Sequence, residues 1–182
     1  MRAFIAIALP DSARAALADL QARLPVGRPV AEENLHLTLA FLDDQPPAVL
    51  EDLHDDLSGL RAPGFDLTLA GLGGPGGAAP ALIWIAADPS PPLVQLHARV
   101  EAAVRRAGIA LPRQRFRPHV TLARFGRRRP GGGEQVRLQA FLAAEGAVRL
   151  DPVPVRDFAL WQSSLHRDGP VYEELARYPL QG

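Results

Sequence analysis

Short apolar runs alternate along this chain with amphipathic stretches, and the spacing of the leucines tells the two apart. Residues 2–9 (RAFIAIAL) are apolar and brief, which predicts a strand. Over 11–24, Leu17, Leu20 and Leu24 recur at helical spacing behind Asp11 or Ser12 as a cap. Residues 34–41 alternate and predict a second strand, with Leu35, Leu37, Leu39 and Phe41 facing the core. Residues 47–60 place Leu50, Leu53, Leu57 and Leu60 on one helical face. Phe65, Leu67 and Leu69 then alternate with Asp66 and Thr68 as a strand. The glycine-rich stretch 71–80 leads into another strand at 81–87, so a β-hairpin is expected. Ser90 followed by Pro91 starts a helix that Leu93, Leu96, Val100 and Val104 continue and Gly108 closes. A strand over 115–124, an exposed loop at 126–133, a short helix over 134–144 and strands at 153–162 and 171–178 complete the order. Neighbouring strands look hairpin-like rather than regularly βαβ, and the expected fold class is α+β on antiparallel sheet.

One string occurs twice. His36-Leu37-Thr38-Leu39-Ala40 and His119-Val120-Thr121-Leu122-Ala123 lie 83 residues apart, each in a predicted strand that follows a predicted helix. Two strand–helix–strand units related by an approximate two-fold would produce this pattern. Strand side chains alternate faces, so each histidine points the same way as the threonine two residues on. In the second copy Phe116, Val120 and Leu122 take the opposite, core-facing side.

Two imidazoles and two hydroxyls across one groove suit hydrolysis of a phosphodiester. One neutral imidazole takes a proton from attacking water, and the other, protonated, gives one to the departing oxygen. Threonine hydroxyls donate to the non-bridging oxygens as charge builds there. That chemistry requires no metal or other cofactor. A zinc site would need third and fourth ligands at suitable spacing, and these are missing from the pattern.

Composition narrows the choice further. The 182 residues include no cysteine, and all 20 basic side chains are arginine. Schiff-base, lysyl-adenylate, Walker-loop and thiol chemistry are excluded. No apolar run reaches the roughly 20 residues that span a bilayer, and the N-terminal apolar stretch is too short for a signal peptide. A cytoplasmic protein that uses no membrane is the expectation. Net charge is zero, yet residues 99–133 carry +9 against −6 over residues 1–66. Such clustering is the footprint expected for a phosphate-bearing partner.

With these residues in view, the chain resembles the 2H phosphoesterase superfamily, whose mark is a pair of His-x-Thr/Ser motifs half a chain apart. Within it the closer resemblance is to the RNA 2′,3′-cyclic phosphodiesterases, also called 2′-5′ RNA ligases. RAFIAIALP (2–10), ENLHLTLAFL (33–42), FRPHVTLARFG (116–126) and WQSSLHRDGPVYEELARYPL (161–180) carry it. The resemblance implies a single bilobed domain over 1–182, with two pseudo-symmetric antiparallel β-sheet lobes, flanking helices and a cleft between them. It implies motifs at 36–39 and 119–122 as the repeat, and metal-independent opening of a terminal 2′,3′-cyclic phosphate, in the founding branch to a 2′-phosphate. ATP-independent ligation of tRNA halves is implied as well. RNA ends, including tRNA fragments, are then the expected partners of a monomer. A glycine usual after AFL in the family is Asp43 here.

The expected catalytic residues are His36, Thr38, His119 and Thr121. His119 is assigned as the base and His36 as the acid, and the symmetry of the repeat allows the reverse. Arg124 matches the family's arginine after the second motif; its parity is wrong for the site face, unless a bend at the strand end re-aims it. Arg115 and Arg117 share parity with His119 and are placed on the same face, where Arg117 either contacts the RNA backbone or makes a surface salt bridge. Arg127, Arg128 and Arg129 sit in a glycine-flanked loop, either tracking phosphates or simply solvated. His54 and His97 read as surface or helix-border residues, and His166 as a loop residue without an assigned role. Core packing is the expectation for Phe41 and Trp161, base stacking the alternative. The rival functions are a true ligase using the same residues and a non-catalytic RNA-binding module.

Overall fold

The computed structural model of the protein describes residues 1–75, 80–126, 128–167 and 169–182. The first unit opens with β1 (Arg2–Ala8) and α1 (Asp11–Ala22), and ends on β3 (His36–Asp44), with the short β2 (Arg28–Pro29) before it. The second unit repeats the order with β6 (Leu82–Ala87), α3 (Pro91–Arg106) and β7 (His119–Arg124). The remaining elements are α2 (Pro47–Ser58), β4 (Phe65–Leu67), β5 (Leu69–Gly73), α4 (Gly133–Glu145), β8 (Val153–Val155), β9 (Asp157–His166) and β10 (Gly169–Pro179). The α+β class is as expected, and every sheet pairing between these strands is antiparallel.

Two half-sheets, β10-β9-β1-β3 and β7-β6-β5, run side by side in one strand order. They meet where β3 and β7 pair, at Leu37 with Val120. Beyond that pair the two strands diverge, and β2 fills one side of the wedge, pairing Arg28 with Arg124 and Pro29 with Ala123. Leucines and valines of the helices cover one face: Leu17 and Leu20 of α1, Leu53 and Leu57 of α2, and Leu93, Leu96 and Val100 of α3 are buried with Ile5, Ile7, Leu37, Ile85 and Val120. The two units interlock there, since α1 packs against β7 and α3 against β3. No helix among the described residues is long and apolar enough to cross a membrane.

Several expected boundaries moved. The strand read over Phe65–Leu69 divides at Thr68, where β4 leaves to pair with β8 in a separate two-stranded sheet and β5 stays with β6. The strand read from 115 starts at His119, because Pro118 has no N–H to add to the ladder. The stretch 153–162 likewise divides into β8 and β9. The helix behind Asp11 has Pro10 in the cap position, with no side-chain cap. The β5–β6 hairpin is present, while residues 76–79 of its glycine-rich loop lie outside the described residues.

Both motif strands carry a β-bulge at the same place. The partners of β1 skip Leu39 between Ala40 and Thr38, and those of β6 skip Leu122 between Ala123 and Thr121. Leu39 with Ala40, and Leu122 with Ala123, are therefore both buried as consecutive pairs. An extra residue reverses the facing of everything after it. Phe41, expected in the core, consequently emerges 62% exposed. The glycine position after AFL also finds its explanation: Asp43 has φ +54°, the one positive φ of a non-glycine among the described residues.

Two stability outcomes follow. Leu37→Ala, at the fully buried junction, is expected to cost about 3 kcal/mol, read as a lower denaturant midpoint with unchanged slope. Asp43→Gly should hold or raise the melting temperature, whereas Asp43→Val should lose about 1 kcal/mol, because left-handed backbone is strained for a β-branched residue.

Candidate active site

The junction pair sets the arrangement of the repeated motifs. Reading one residue outward from Leu37 and Val120 puts His36 opposite Thr121, and Thr38 opposite His119. All four side chains are half-buried on the face away from the helices, while Leu37, Leu39, Val120 and Leu122 point into the core. The sequence expectation that each motif offers one imidazole and one hydroxyl on a common face is met by this geometry.

Each histidine is oriented by the chain just before it. The Nδ1–H of His36 donates to the Asn34 carbonyl at 2.7 Å, and that of His119 donates to the Arg117 carbonyl at 2.7 Å. A carbonyl only accepts, so in the neutral rings the proton sits on Nδ1 and Nε2 keeps its lone pair. Thr38 Oγ1 lies 3.1 Å from Nε2 of His36 and donates to it in that state. The two-fold relation thus extends from the sequence to the hydrogen bonds that hold the rings.

Aromatic packing is not symmetric. His36 lies 4.9 Å from the ring of Phe4 and 5.4 Å from that of Tyr172, centroid to centroid. Phe4 also neighbours Phe41 and stacks with Trp161, both at 6.4 Å. His119 has Trp84 at 4.3 Å. An aromatic surface therefore flanks the His36 half of the site. Trp161 lies partly buried in this surface, opposite Phe4, rather than in the core expected for it, and the exposed ring of Phe41 is likewise a feature that simple alternation missed.

The second bulge brings Arg124 back to the site face, as the matching bulge does for Phe41. Gln21 on α1 pins it, with Nε2 donating to the carbonyls of Leu122 and Val30 at 2.8 Å each. Burial pulls the His36 imidazole below its ordinary value against the opposing bond to Asn34, and Arg124 and then His119 push it lower. Burial likewise lowers His119 against its bond to Arg117, with Arg124 acting in the same sense. One guanidinium charge is felt at both imidazoles.

Arg117 reaches the site through its main-chain carbonyl, and its side chain is exposed in the irregular segment ahead of β7. Phe116 in that segment stacks on His97 at 3.7 Å, fixing the approach to His119. His54 meets Tyr178 away from the site, its Nδ1 3.0 Å from the phenol oxygen, and His166 is exposed at the end of β9. The β9–β10 hairpin reaches across to the first motif, where Asn34 Nδ2 donates to the Pro170 carbonyl at 2.9 Å. Arg127 lies outside the described residues, and Arg128 pairs with Glu134 at 3.7 Å. Among the described residues no group of three or more histidine and carboxylate side chains is placed to hold a metal ion.

The family model described as the 2′-5′ RNA ligase superfamily matches residues 9–167. A Thermus thermophilus protein named RNA 2′,3′-cyclic phosphodiesterase is 34% identical, over 100% of this chain and 91% of its own. A relative of the same name from Geobacillus stearothermophilus is 32% identical over 98% of this chain, which spans only 57% of that longer protein. Among solved structures, one from Thermus thermophilus aligns with TM-score 0.81 and 30% identity, covering 100% of this chain and 99% of the other. Escherichia coli LigT complexed with 3′-AMP aligns with TM-score 0.75 and 29% identity, covering 100% and 98%. With a match of that extent, this chain belongs to the 2′-5′ RNA ligase superfamily.

Proposed function

We propose that the protein hydrolyses the terminal 2′,3′-cyclic phosphate of RNA to a phosphomonoester, the 2′-phosphate, by two-histidine acid–base catalysis in the cytoplasm. The observation that carries this reading is the pair of Nδ1-anchored imidazoles, His36 and His119, each set opposite the other motif's threonine. Binding RNA alone calls for neither imidazole, which disfavours the non-catalytic alternative. The names of the relatives and the 3′-AMP held by LigT support a nucleotide phosphate as the reacting group.

His119 Nε2 takes the proton from a water attacking phosphorus in line, and the bond from phosphorus to the ribose 3′-oxygen breaks. His36, protonated on Nε2, gives its proton to that oxygen. The leaving oxygen stays on the nucleoside, and the aromatic surface of Phe4, Phe41 and Tyr172 stands on the His36 side, which supports His36 as acid. Thr38 and Thr121 donate to the non-bridging oxygens, and Arg124 offsets their growing charge. Arg117 approaches the RNA backbone at the exposed rim. One bilobed domain over 1–182, its halves joined at β3 and β7, carries the whole site and acts as a monomer on RNA ends.

Either histidine replaced by alanine should lose about three orders of magnitude in kcat on a cyclic-phosphate oligonucleotide. A nitrophenyl phosphodiester, whose leaving group needs no proton, should rescue His36→Ala and leave His119→Ala inactive. The opposite pattern reverses the two roles, and near-normal turnover by either variant removes the mechanism.

Both imidazoles titrate below 6.5, the ordinary histidine value. The base must be neutral and is lost as pH falls through its lowered pKa. The acid must be protonated and is lost as pH rises through its own. The bell in kcat/KM should therefore centre on the acid side of 6.5, persist with chelator, and move upward in Arg124→Gln while its height falls. A bell centred above 7.5, or loss of activity with chelator, contradicts this reading.

A further inference from the structure

Past the His36 end of the histidine pair lies a cleft of about 510 Å³, of whose walls the reaction as described uses only Arg124. Its walls are Arg28, Arg124 and Arg128, with Glu134 as the carboxylate among them and Phe125 as the aromatic surface. Arg28 on β2 pairs directly with Arg124 on β7. Residues directly opposite on antiparallel strands project from the same face, so both guanidinium groups can donate charge-assisted hydrogen bonds to one anion. The floor is equally specific: Gly27 has φ +100°, and a Cβ there would lie 2.9 Å from Phe125 Cε1, so the ring rests against bare backbone. The β9–β10 hairpin comes down beside the same place, with Gly169 adjoining the Arg28 guanidinium.

Arg124 joins this cleft to the reacting centre, since its charge acts on both imidazoles and it lines the cleft wall. A group bound here is therefore a near neighbour of the reacting phosphate. With the 2′,3′-phosphate between the histidines, as the proposed reaction requires, and the base laid toward the aromatic surface, the remaining substituent of the nucleoside is the 5′-phosphodiester. We infer that the cleft of Arg28, Arg124, Arg128 and Phe125 is a second nucleotide subsite. It holds the phosphodiester on the 5′ side of the terminal residue between the arginines and lays the preceding nucleoside on Phe125. This rests on the cyclic-phosphate reading of the histidine pair. Its consequence is selectivity for oligonucleotide ends over mononucleotides.

The test compares a dinucleotide ending in a 2′,3′-cyclic phosphate with the corresponding mononucleoside cyclic phosphate. The wild-type ratio of kcat/KM should favour the dinucleotide by about tenfold or more, and Arg28→Gln should remove most of that preference through KM. The slope of log kcat/KM against log salt should fall by about one for the dinucleotide in that variant. Glu134→Gln, which removes the cleft's carboxylate, should raise the ratio. Equal changes for both substrates, or a wild-type ratio near one, overturn the subsite. Calorimetric binding of a dinucleotide 3′-phosphate against a 3′-mononucleotide supplies an arm independent of turnover. Preference for the dinucleotide, lost in Arg28→Gln, supports the subsite even if neither cyclic phosphate is hydrolysed, in which case the catalytic reading alone fails. Equal affinities overturn it.

Discussion

The two half-sheets join at Leu37 and Val120, both wholly buried, and the position of every group in the site is referred to that pair. An antiparallel pairing at this register sets each motif's histidine across from the other's threonine. A slip of either strand by one residue would turn its histidine and threonine into the core and its two apolar neighbours out of it. Burial on the helical side makes such a slip prohibitive. The crossed packing of α1 on β7 and α3 on β3 holds the same register from below.

The paired bulges make the next decision. Each motif strand inserts one residue after its threonine, at Leu39 and at Leu122, and the sixth residue of each copy turns to the site face. In one copy that residue is Phe41 and in the other Arg124. The backbone repeats while the side chains differ, and the resulting site has an apolar aromatic half and a cationic half. A nucleotide end has the same two characters, a base and a phosphate. The symmetry therefore supplies two imidazoles and two hydroxyls, and the departure from symmetry makes the two halves of the site chemically distinct.

Electrostatics ties these parts together. Arg124 acts on both imidazoles and lies opposite Arg28 on β2. Its aim depends on a bulge held by one glutamine, Gln21, on a helix of the other half. The charge that Arg124 presents at the cleft also lowers both histidines, so the local potential and the titration of the imidazoles are coupled through one side chain.

Most of this was legible along the chain. The repeat of His-x-Thr-Leu-Ala, the strand–helix–strand order and the alternation that put both motif residues on one face are local properties. They depend only on side-chain spacing and the two-residue period of a strand. The excess of arginine over residues 99–133 was equally visible, and it contains Arg124. Alternation failed at Phe41 and at Arg124 because a bulge costs one residue of register and leaves no signature that spacing alone can count. The division of the strands at Thr68 depended on which partner was present to pair with each segment, whereas β7 starts at His119 rather than 115 for a local reason, the missing N–H of Pro118. The sequence by itself thus determined the chemical groups, one imidazole and one hydroxyl in duplicate. The tertiary structure decided which face Phe41 and Arg124 share with them, and that Arg28, 96 residues before Arg124, stands beside it, because pairing between distant strands is set by packing and not by neighbouring residues.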